Sequence, residues 1–537
     1  MPEATIAGSG LAGMSAAHRL MEQGFDITLY EQNDFLGGKL GAHKADGNPD
    51  PHEHSYHMYL NWYNNFWQLM REIGALDKFI PNAVIGYRRP GDKQTLAGLT
   101  NAGSPTTILT NMFSGVASPA DEFISAYCLL DLIGTQAMSG EVLEQTSVNN
   151  FLRSRGYSTE ASIATATRTL AEAFASPSYL SSARSYQSLI KYGYRNPVPS
   201  MWLLIQNTND AIFEPWRQYL ETRAEQLGRR FEIHRLTQVA ALHLDQGEVR
   251  ELTLGKMPHS PTTERGPVTP PTETWKVGIP GDLILAVPPR ALGRLVSPEV
   301  AALAPDLETV RLLRVEPMIS LDLYFKKKIP GLNNSITVLL ESNYTLSLLD
   351  LSQVWNDLAT GNTVLNVTSS NADLIVDYQD EVILDLVLRE LRRFLEFNLG
   401  PATVAPSLRD DDVDYGRCHI QTNVGEELFV NQVGSWASRP KAVCNIPNLF
   451  LAGDFCQTCI DVVTVEGAVV SGLLAAEALR RRRGIGTTID IVEPDSYPAI
   501  VPAMLAVALR PAAFAAKAVS IADSMVRSQF SRMFPNG

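Results

Sequence analysis

Two loops at opposite ends of the 537-residue chain carry residues suited to holding phosphates. The first, Gly8-Ser9-Gly10-Leu11-Ala12-Gly13, follows the apolar run Ala4 to Ala7 and opens a helical pattern from Leu11 to Gln23. A second apolar run, Ile27 to Tyr30, ends at Glu31, 18 residues beyond Gly13. Strand, glycine turn, helix, strand and acid in that order suit a dinucleotide. The first glycine permits the turn, the second lets backbone approach a pyrophosphate, and the third lets helix pack on strand. The positive helix end faces the pyrophosphate, and Glu31 accepts hydrogen bonds from a ribose. The second loop lies in "LFLAGDFCQTCIDVVTVEGAVVSG", residues 449 to 472, where an apolar strand stops at Gly453-Asp454 and a small-residue helix opens at Val465-Glu466-Gly467.

The elements between these loops explain their separation. Residues 97 to 225 carry Gly and Ser near 98 to 118 and then helical patterns at Asp121 to Thr135 and Thr159 to Phe174. Phe231 to Leu254 alternates as a hairpin turning at Asp245-Gln246-Gly247, and 258 to 274 is a Pro/Thr-rich surface loop. "DLILAVPP", 282 to 289, is a buried strand closed by two prolines, Leu312 to Phe325 a further strand region, and Glu381 to Phe397 a helix. The expected class is α/β, with a discontinuous Rossmann-like nucleotide domain at 1–95, 205–305 and 420–485. A mixed-sheet and helical substrate domain is inserted at 96–204 and 306–419, and 486–537 forms a tail. Strand order in such a sheet need not follow sequence order.

Composition narrows the partners. At 45% hydrophobic and 19% charged the chain is an ordinary globular one, long enough for two domains and a sizeable interior pocket. A formal charge of -13 without a basic run argues against a nucleic-acid partner. Five scattered cysteines, at 128, 418, 444, 456 and 459, fit reduced thiols and a reducing, cytoplasmic setting. The opening MPEATIAGSG enters a strand at once, so no secretory signal is expected, and no uninterrupted apolar run of about 18 residues predicts a spanning helix.

GSGLAG with Glu31 and then Gly37-Gly38-Lys39 resembles the flavin-binding signature of the FAD-dependent amine oxidase and phytoene desaturase superfamily. "EHSYHMYLNWYNNFWQLMREIGA" (53 to 75), "EPMISLDLYFKKKIPG" (316 to 331) and LAGD...VEGAVVSG are most similar to plant-type phytoene and ζ-carotene desaturases and to hydroxysqualene dehydroxylases. The resemblance implies a Rossmann-like FAD-binding domain, with Gly8, Gly10, Leu11, Ala12 and Gly13 at the pyrophosphate and Glu31 at the adenosine ribose. It implies further phosphate and ribityl contacts from Gly38 and Lys39, a point charge where relatives often have the planar fork of arginine. Val239 matches a residue whose backbone meets the adenine. Gly453 and Asp454 match the ribityl or pyrophosphate end. Val465, Glu466 and Ala468 match a helix start whose N–H groups point at the isoalloxazine, where negative charge on reduced flavin is favoured. Two departures are Ser55, where desaturases usually have glycine, and Asn207 to Trp216, which lacks a glycine pair common in relatives. The implied activity is removal of hydride from carbon–carbon bonds of a long apolar substrate, an isoprenoid or squalene-type molecule. Amine oxidation and redox-neutral isomerisation or dehydroxylation on the same scaffold stay open. Many amine-oxidising relatives place a lysine in the strand matching Pro317 to Phe325, and this chain has none before Lys326.

Several residues carry two readings. His52, His54 and His57 suggest a metal site by type, but no fixed carboxylate or cysteine set accompanies them, so no metal is expected. His57 is the candidate catalytic residue, against a structural histidine. Cys456 and Cys459 have redox spacing or are two incidental thiols. Tyr56, Tyr59, Trp62, Tyr63, Phe66 and Trp67 are mostly core on helical spacing, with some left to line a tunnel. Asp461 reads as a capping group for the final helix or as a polar wall of the site. The apolar tail with Arg510, Lys517, Arg527 and Arg532 fits either an amphipathic helix on a membrane or one packed against protein.

Overall fold

Parallel strands from both ends of the chain make one five-stranded sheet in a computed structural model of the protein. The structure describes all residues except 45–49, 100–104, 136–139, 174, 196–198, 262–268, 359–360, 405–408, 410, 424–427 and 534–537. The sheet order is Phe231–His234, Asp26–Tyr30, Glu3–Ala7, Asp282–Leu285, Leu449–Leu451. Ala7 pairs with Tyr30 and with Leu285, and Leu285 with Leu451, so these strands stop at one level. Gly8, Glu31, Ala286 and Gly453 therefore sit along one edge, the carboxyl ends where open α/β sheets bind ligands. The late position of the Gly453 loop follows from this topology.

Phe231–His234 departs from the sequence expectation. It pairs with Asp26–Tyr30 in parallel and leaves the hairpin, which runs instead through Thr237–Asp245 and Glu248–Lys256 with Glu273–Gly278 as third strand. Leu236, at φ 51°, breaks the run between the two. The hairpin turn holds Gln246 and Gly247 both at positive φ, the pairing that matches strand twist.

A seven-stranded mixed sheet forms the second layer, in the order His419–Thr422, Ile319–Tyr324, Val364–Ser369, Leu346–Asp350, Thr337–Leu339, Val84–Arg88, Leu96–Leu99. Val84–Arg88, assigned on sequence to the nucleotide domain, pairs in parallel with Thr337–Leu339 and so belongs to this sheet. The helices Pro119–Gly134, Glu160–Ala173 and Ala183–Arg195 lie in the inserted region. Ser118 caps the first by accepting a hydrogen bond from the Asp121 amide at 3.1 Å, with Pro119 at its first position. The helix expected at Glu381 to Phe397 spans Asp380–Leu391, because Phe394, Leu395 and Phe397 turn into the core.

Helix Leu11–Glu22 packs between the five-stranded sheet and helix Val465–Arg483, and every residue from Leu11 to Met21 is buried. The contact with Val465–Arg483 is backbone-close. A Cβ on Gly472 would lie 2.1 Å from the Ala12 carbonyl oxygen, so only glycine fits. This crossing fastens the last helix of the fold onto the first.

Candidate functional site

A cavity of about 440 Å³ opens along the sheet edge and continues toward the seven-stranded sheet. Gly8, at φ +100°, turns the chain there and donates its N–H to the Tyr30 carbonyl at 2.8 Å. A Cβ on it would sit 2.3 Å from the Ala286 carbonyl oxygen. Gly37, at φ +111°, bridges to Gly10, and its N–H reaches the Ser9 carbonyl at 3.1 Å, so the second glycine pair lies on the first. Gly10 caps Leu11–Glu22 with no side-chain acceptor, which leaves the helix N–H groups facing the cavity for an anion.

Glu31 holds this turn in shape. Its Oε2 accepts from the Ser9 amide at 2.8 Å and the Ser9 hydroxyl at 2.6 Å, and its Oε1 from the Asn33 amide at 2.9 Å. Burial raises its pKa, while these donors oppose the rise. On the opposite side Lys39 Nζ and Asp454 Oδ2 pair at 2.7 Å, joining the Gly37-Gly38 segment to the last loop. Asp454 follows Gly453, whose φ of +148° and N–H bond to Ser471 at 2.9 Å fix the turn. Val239 reaches the cavity where strand pairing shifts between Val239 and Ala241.

Helix Val465–Arg483 points its first turn at the cavity through Val465 and Ala468. Its cap is Thr464, which accepts from the Gly467 amide at 3.0 Å. Asp461, expected as a capping group, instead pairs with Arg439 and with Arg184 at 3.1 Å, and sits at φ 51°. Glu466 turns away from the cavity. Its Oε1 accepts from Asn65 N and Nδ2 at 2.9 and 2.6 Å, and its Oε2 from Phe66 N at 3.0 Å. Complete burial lifts its pKa to about 7. Its side chain therefore anchors helix Asn64–Glu72, and only its backbone belongs to the helix start. Glu466→Ala leaves the Asn65 and Phe66 amides without an acceptor and the Asn65 Nδ2 with the Val492 carbonyl alone, and is expected to lower unfolding free energy by about 3 kcal/mol in urea denaturation. Gly13 also stands off the cavity, its Cα side pressed against Gly8, where a Cβ would lie 1.9 Å from the carbonyl oxygen.

The three suspected histidines part company. His52 Nδ1 meets Asp322 Oδ2 at 2.7 Å behind the cavity, whereas His54 and His57 line it with ring centroids 4.9 Å apart. Burial drops the His57 pKa to about 4, and its Nδ1 has no hydrogen-bond partner among the described residues. Cys456 and Cys459 do not line the cavity. Burial pushes both thiols up, Cys459 to about 11, which keeps them protonated. Of the aromatic group, Tyr59, Trp62 and Phe66 are core, and Tyr56 and Tyr63 face the cavity. Sequence reading missed Ser9 and Thr464: a hydroxyl inside the glycine loop, and a threonine three residues before Gly467, were the available signals.

Comparison with known proteins gives matches at both ends of the chain. Residues 248–480 match the flavin containing amine oxidoreductase family, and residues 6–73 a NAD(P)-binding Rossmann-like domain. The 15-cis-phytoene desaturase of Solanum lycopersicum is 24% identical over 497 residues, covering 89% of this chain and 77% of that protein. The zeta-carotene desaturase of Capsicum annuum is 41% identical over 70 residues, 13% of this chain and 12% of its own length. Among solved structures, an oxidoreductase from Methanosarcina mazei superposes with TM-score 0.61 at 15% identity, covering 88% of this chain and 99% of that one. Cyclohexylamine oxidase from Brevibacterium oxydans IH-35A gives 0.58 at 15%, covering 90% and 99%. The glycine cradle, the open helix N-terminus and the buried Glu31 fit a flavin dinucleotide. Since the cradle is assembled from the two ends that the family matches cover, the chain belongs to the FAD-dependent amine oxidase and phytoene desaturase superfamily, with FAD as its cofactor.

Proposed function

We propose that the protein is an FAD-dependent dehydrogenase of the desaturase kind, acting on a carbon–carbon bond of a long apolar substrate of isoprenoid or squalene type. The carrying observation is the character of the cavity wall beyond the cradle. Ile85, Tyr87, Ile336, Val338, Leu348 and Leu349 make up most of it, beside the neutral Ser347, Asn366 and Thr368 and the cation Arg168, and among the described lining residues the carboxylates are Glu31 and Asp454, both at the cradle. An ammonium substrate would be desolvated there without an opposite charge. Lys326, the nearest lysine to the strand where amine-oxidising relatives carry one, donates to the Asp411 carbonyl at 3.0 Å and does not line the cavity.

FAD, when bound, supplies the acceptor for a hydride leaving with both electrons of a C–H bond. The protein holds the substrate by apolar contact, excludes water, and takes the proton released from the neighbouring carbon as the double bond forms. The His57 imidazole, through the part of its ring that lines the cavity, is the acceptor in this reading. A pKa of about 4 makes it a weak base, yet a carbon next to electron-deficient carbon is strongly acidic, so a weak base suffices. The proton then passes to water.

An anaerobic visible spectrum tests this. Bleaching of the flavin bands by polyene or squalene-type hydrocarbons is the expected result, and bleaching by amines alone would overturn it. His57→Ala should keep its flavin and reduce it about 100-fold more slowly. A substrate of this kind resides in lipid, and the apolar C-terminal tail is the segment suited to peripheral membrane contact.

A further inference from the structure

We propose that helix Ile500–Met533 lies flat on a lipid bilayer, together with the neighbouring helix Pro105–Met112, and that this surface borders the apolar wall of the cavity; its purpose rests on the apolar-substrate reading, its existence does not. Residues Ile500–Val526 are long and apolar enough to cross a membrane, with mean hydropathy 1.5. Arg510 and Lys517 interrupt the run, which is why a count of consecutive apolar residues misses it.

The helix touches the protein along one narrow stripe. Pro502, Ala506, Ala513 and Ser520 are buried, the last three at seven-residue spacing. Tyr127 Oη donates to the Ala506 carbonyl at 2.6 Å, Ser520 Oγ to Asp121 Oδ1 at 2.8 Å, and Lys517 Nζ to the Gly156 carbonyl at 2.7 Å. Gly134 packs so closely on Pro502 that a Cβ would lie 2.9 Å from its carbonyl oxygen. Asp121 with Ser520 and Gly134 with Pro502 make the helix antiparallel to Pro119–Gly134. Outside this stripe it stays apolar and exposed: Met504 65%, Val507 68%, Phe514 49%, Val519 60% and Met525 60%.

These fastenings decide how lipid is met. They hold about 27 Å of helix, at 1.5 Å per residue from Pro502 to Ser520, against the protein body. Crossing the bilayer would strip them and place Arg510 and Lys517 at hydrocarbon depth. Lying flat keeps them, Lys517 included, and lets the exposed Arg510 reach the headgroups. A second protein copy would cover one more stripe, whereas Met504, Leu505, Val507 and Leu509 face outward over successive turns, an all-round apolar surface that acyl chains solvate. The described cations on this helix outnumber its single acid, Asp523, in a chain of charge -13, so anionic headgroups are preferred.

The second element extends the surface to the cavity. Helix Pro105–Met112 packs on Pro119–Gly134 and exposes Leu109 at 57%, with Phe113 beyond its end at 75%. Three residues later Val116 is buried with Val338, against Ile85 and Tyr87 of the cavity wall.

The test is flotation of the full-length, FAD-loaded protein with vesicles of phosphatidylcholine and phosphatidylglycerol. Wild type should float, be stripped by alkaline carbonate, and float less on pure phosphatidylcholine. Val507→Glu/Val519→Glu should lower the bound fraction about 10-fold, and Leu109→Glu/Phe113→Glu about 3-fold, at unchanged flavin content and melting temperature. Failure to float, resistance to carbonate, or variants floating like wild type would overturn the proposal. So would a dimer in light scattering that Val507→Glu/Val519→Glu dissociates while vesicles bind neither form. Flotation uses no substrate, so binding without flavin bleaching by hydrocarbons would remove the substrate reading and leave the docking surface standing.

Discussion

Glu31→Ala is expected to purify without flavin. Its carboxylate accepts three hydrogen bonds from Ser9 and Asn33, and two of those donors are backbone amides within or beside the glycine turn. Hydrogen bonds to a charged acceptor contribute about 1.5–3 kcal/mol each, so losing the set weakens FAD binding by at least about 100-fold. The turn itself loosens as well, since Ser9 then has no acceptor holding it against the end of strand Asp26–Tyr30. Absorbance of flavin per polypeptide, followed by titration of the flavin-free protein with FAD, gives the loss. Wild-type occupancy in this variant would mean that Gly8 and Gly37 hold the cradle unaided. Glu31→Gln should fall between, because the amide keeps one acceptor oxygen and sets a donor against the other amide.

Stability is expected to peak near pH 6.5 and fall on both sides. His43 and His419 are pushed down by burial to about 3 and about 4, and His57 to about 4. Below pH 6.5 the unfolded chain binds protons at these imidazoles and the folded chain does not, so stability is lost as pH falls toward 4, at about 1.4 kcal/mol per unit for each. Glu53 and Glu466 act in the other direction. Burial raises them to about 8 and about 7, so the folded state holds protons that the unfolded state releases above 4.5. Their contribution is present at low pH and is lost as pH rises through 7 and 8. Between 4.5 and 6.5 these histidines, joined by His54, which burial also pushes well down, outweigh the two carboxyls; above 6.5 Glu53 and Glu466 dominate and remove about 2.5 kcal/mol by pH 8. Urea denaturation across this range measures the curve. Glu53→Gln keeps an acceptor for the Thr208 amide, 2.7 Å away, and removes the higher of the two ionisations, so it should flatten the alkaline limb by about two-thirds. An unchanged limb would place the titration elsewhere.

Local sequence determined the cradle. Turn, helix and acid are fixed by short-range constraints: Gly8 needs positive φ, Leu11–Glu22 follows at once, and Glu31 ends the next strand, so 31 residues suffice to announce a dinucleotide site. The return of Gly453-Asp454 to that site was legible too, because an apolar strand ending in a glycine turn beside a small-residue helix has few other places to go. Side-chain roles at the second loop were not. Whether Glu466 faces the cofactor or Asn65, and whether Asp461 caps a helix or neutralises Arg439, depends on residues 22 to 401 positions away that only the folded chain brings into contact.

Tertiary structure alone decided the rest. Phe231–His234 alternates like a hairpin strand, yet the free edge of Asp26–Tyr30 captures it in parallel, since period-two alternation does not say which neighbour completes the ladder. Val84–Arg88 went to the seven-stranded sheet for the same reason. His52 and His57 are five positions apart in sequence and end on opposite sides of the cavity wall, one paired with Asp322 and one open to the substrate space. The tail shows the limit most directly. Its composition permitted both membrane and protein contact, and the buried stripe of Ala506, Ala513 and Ser520 shows that it has protein on one side while its apolar flanks remain uncovered. Sequence sets which surfaces are apolar, but burial is a property of what lies opposite, and that is fixed only when the long-range partners are in place.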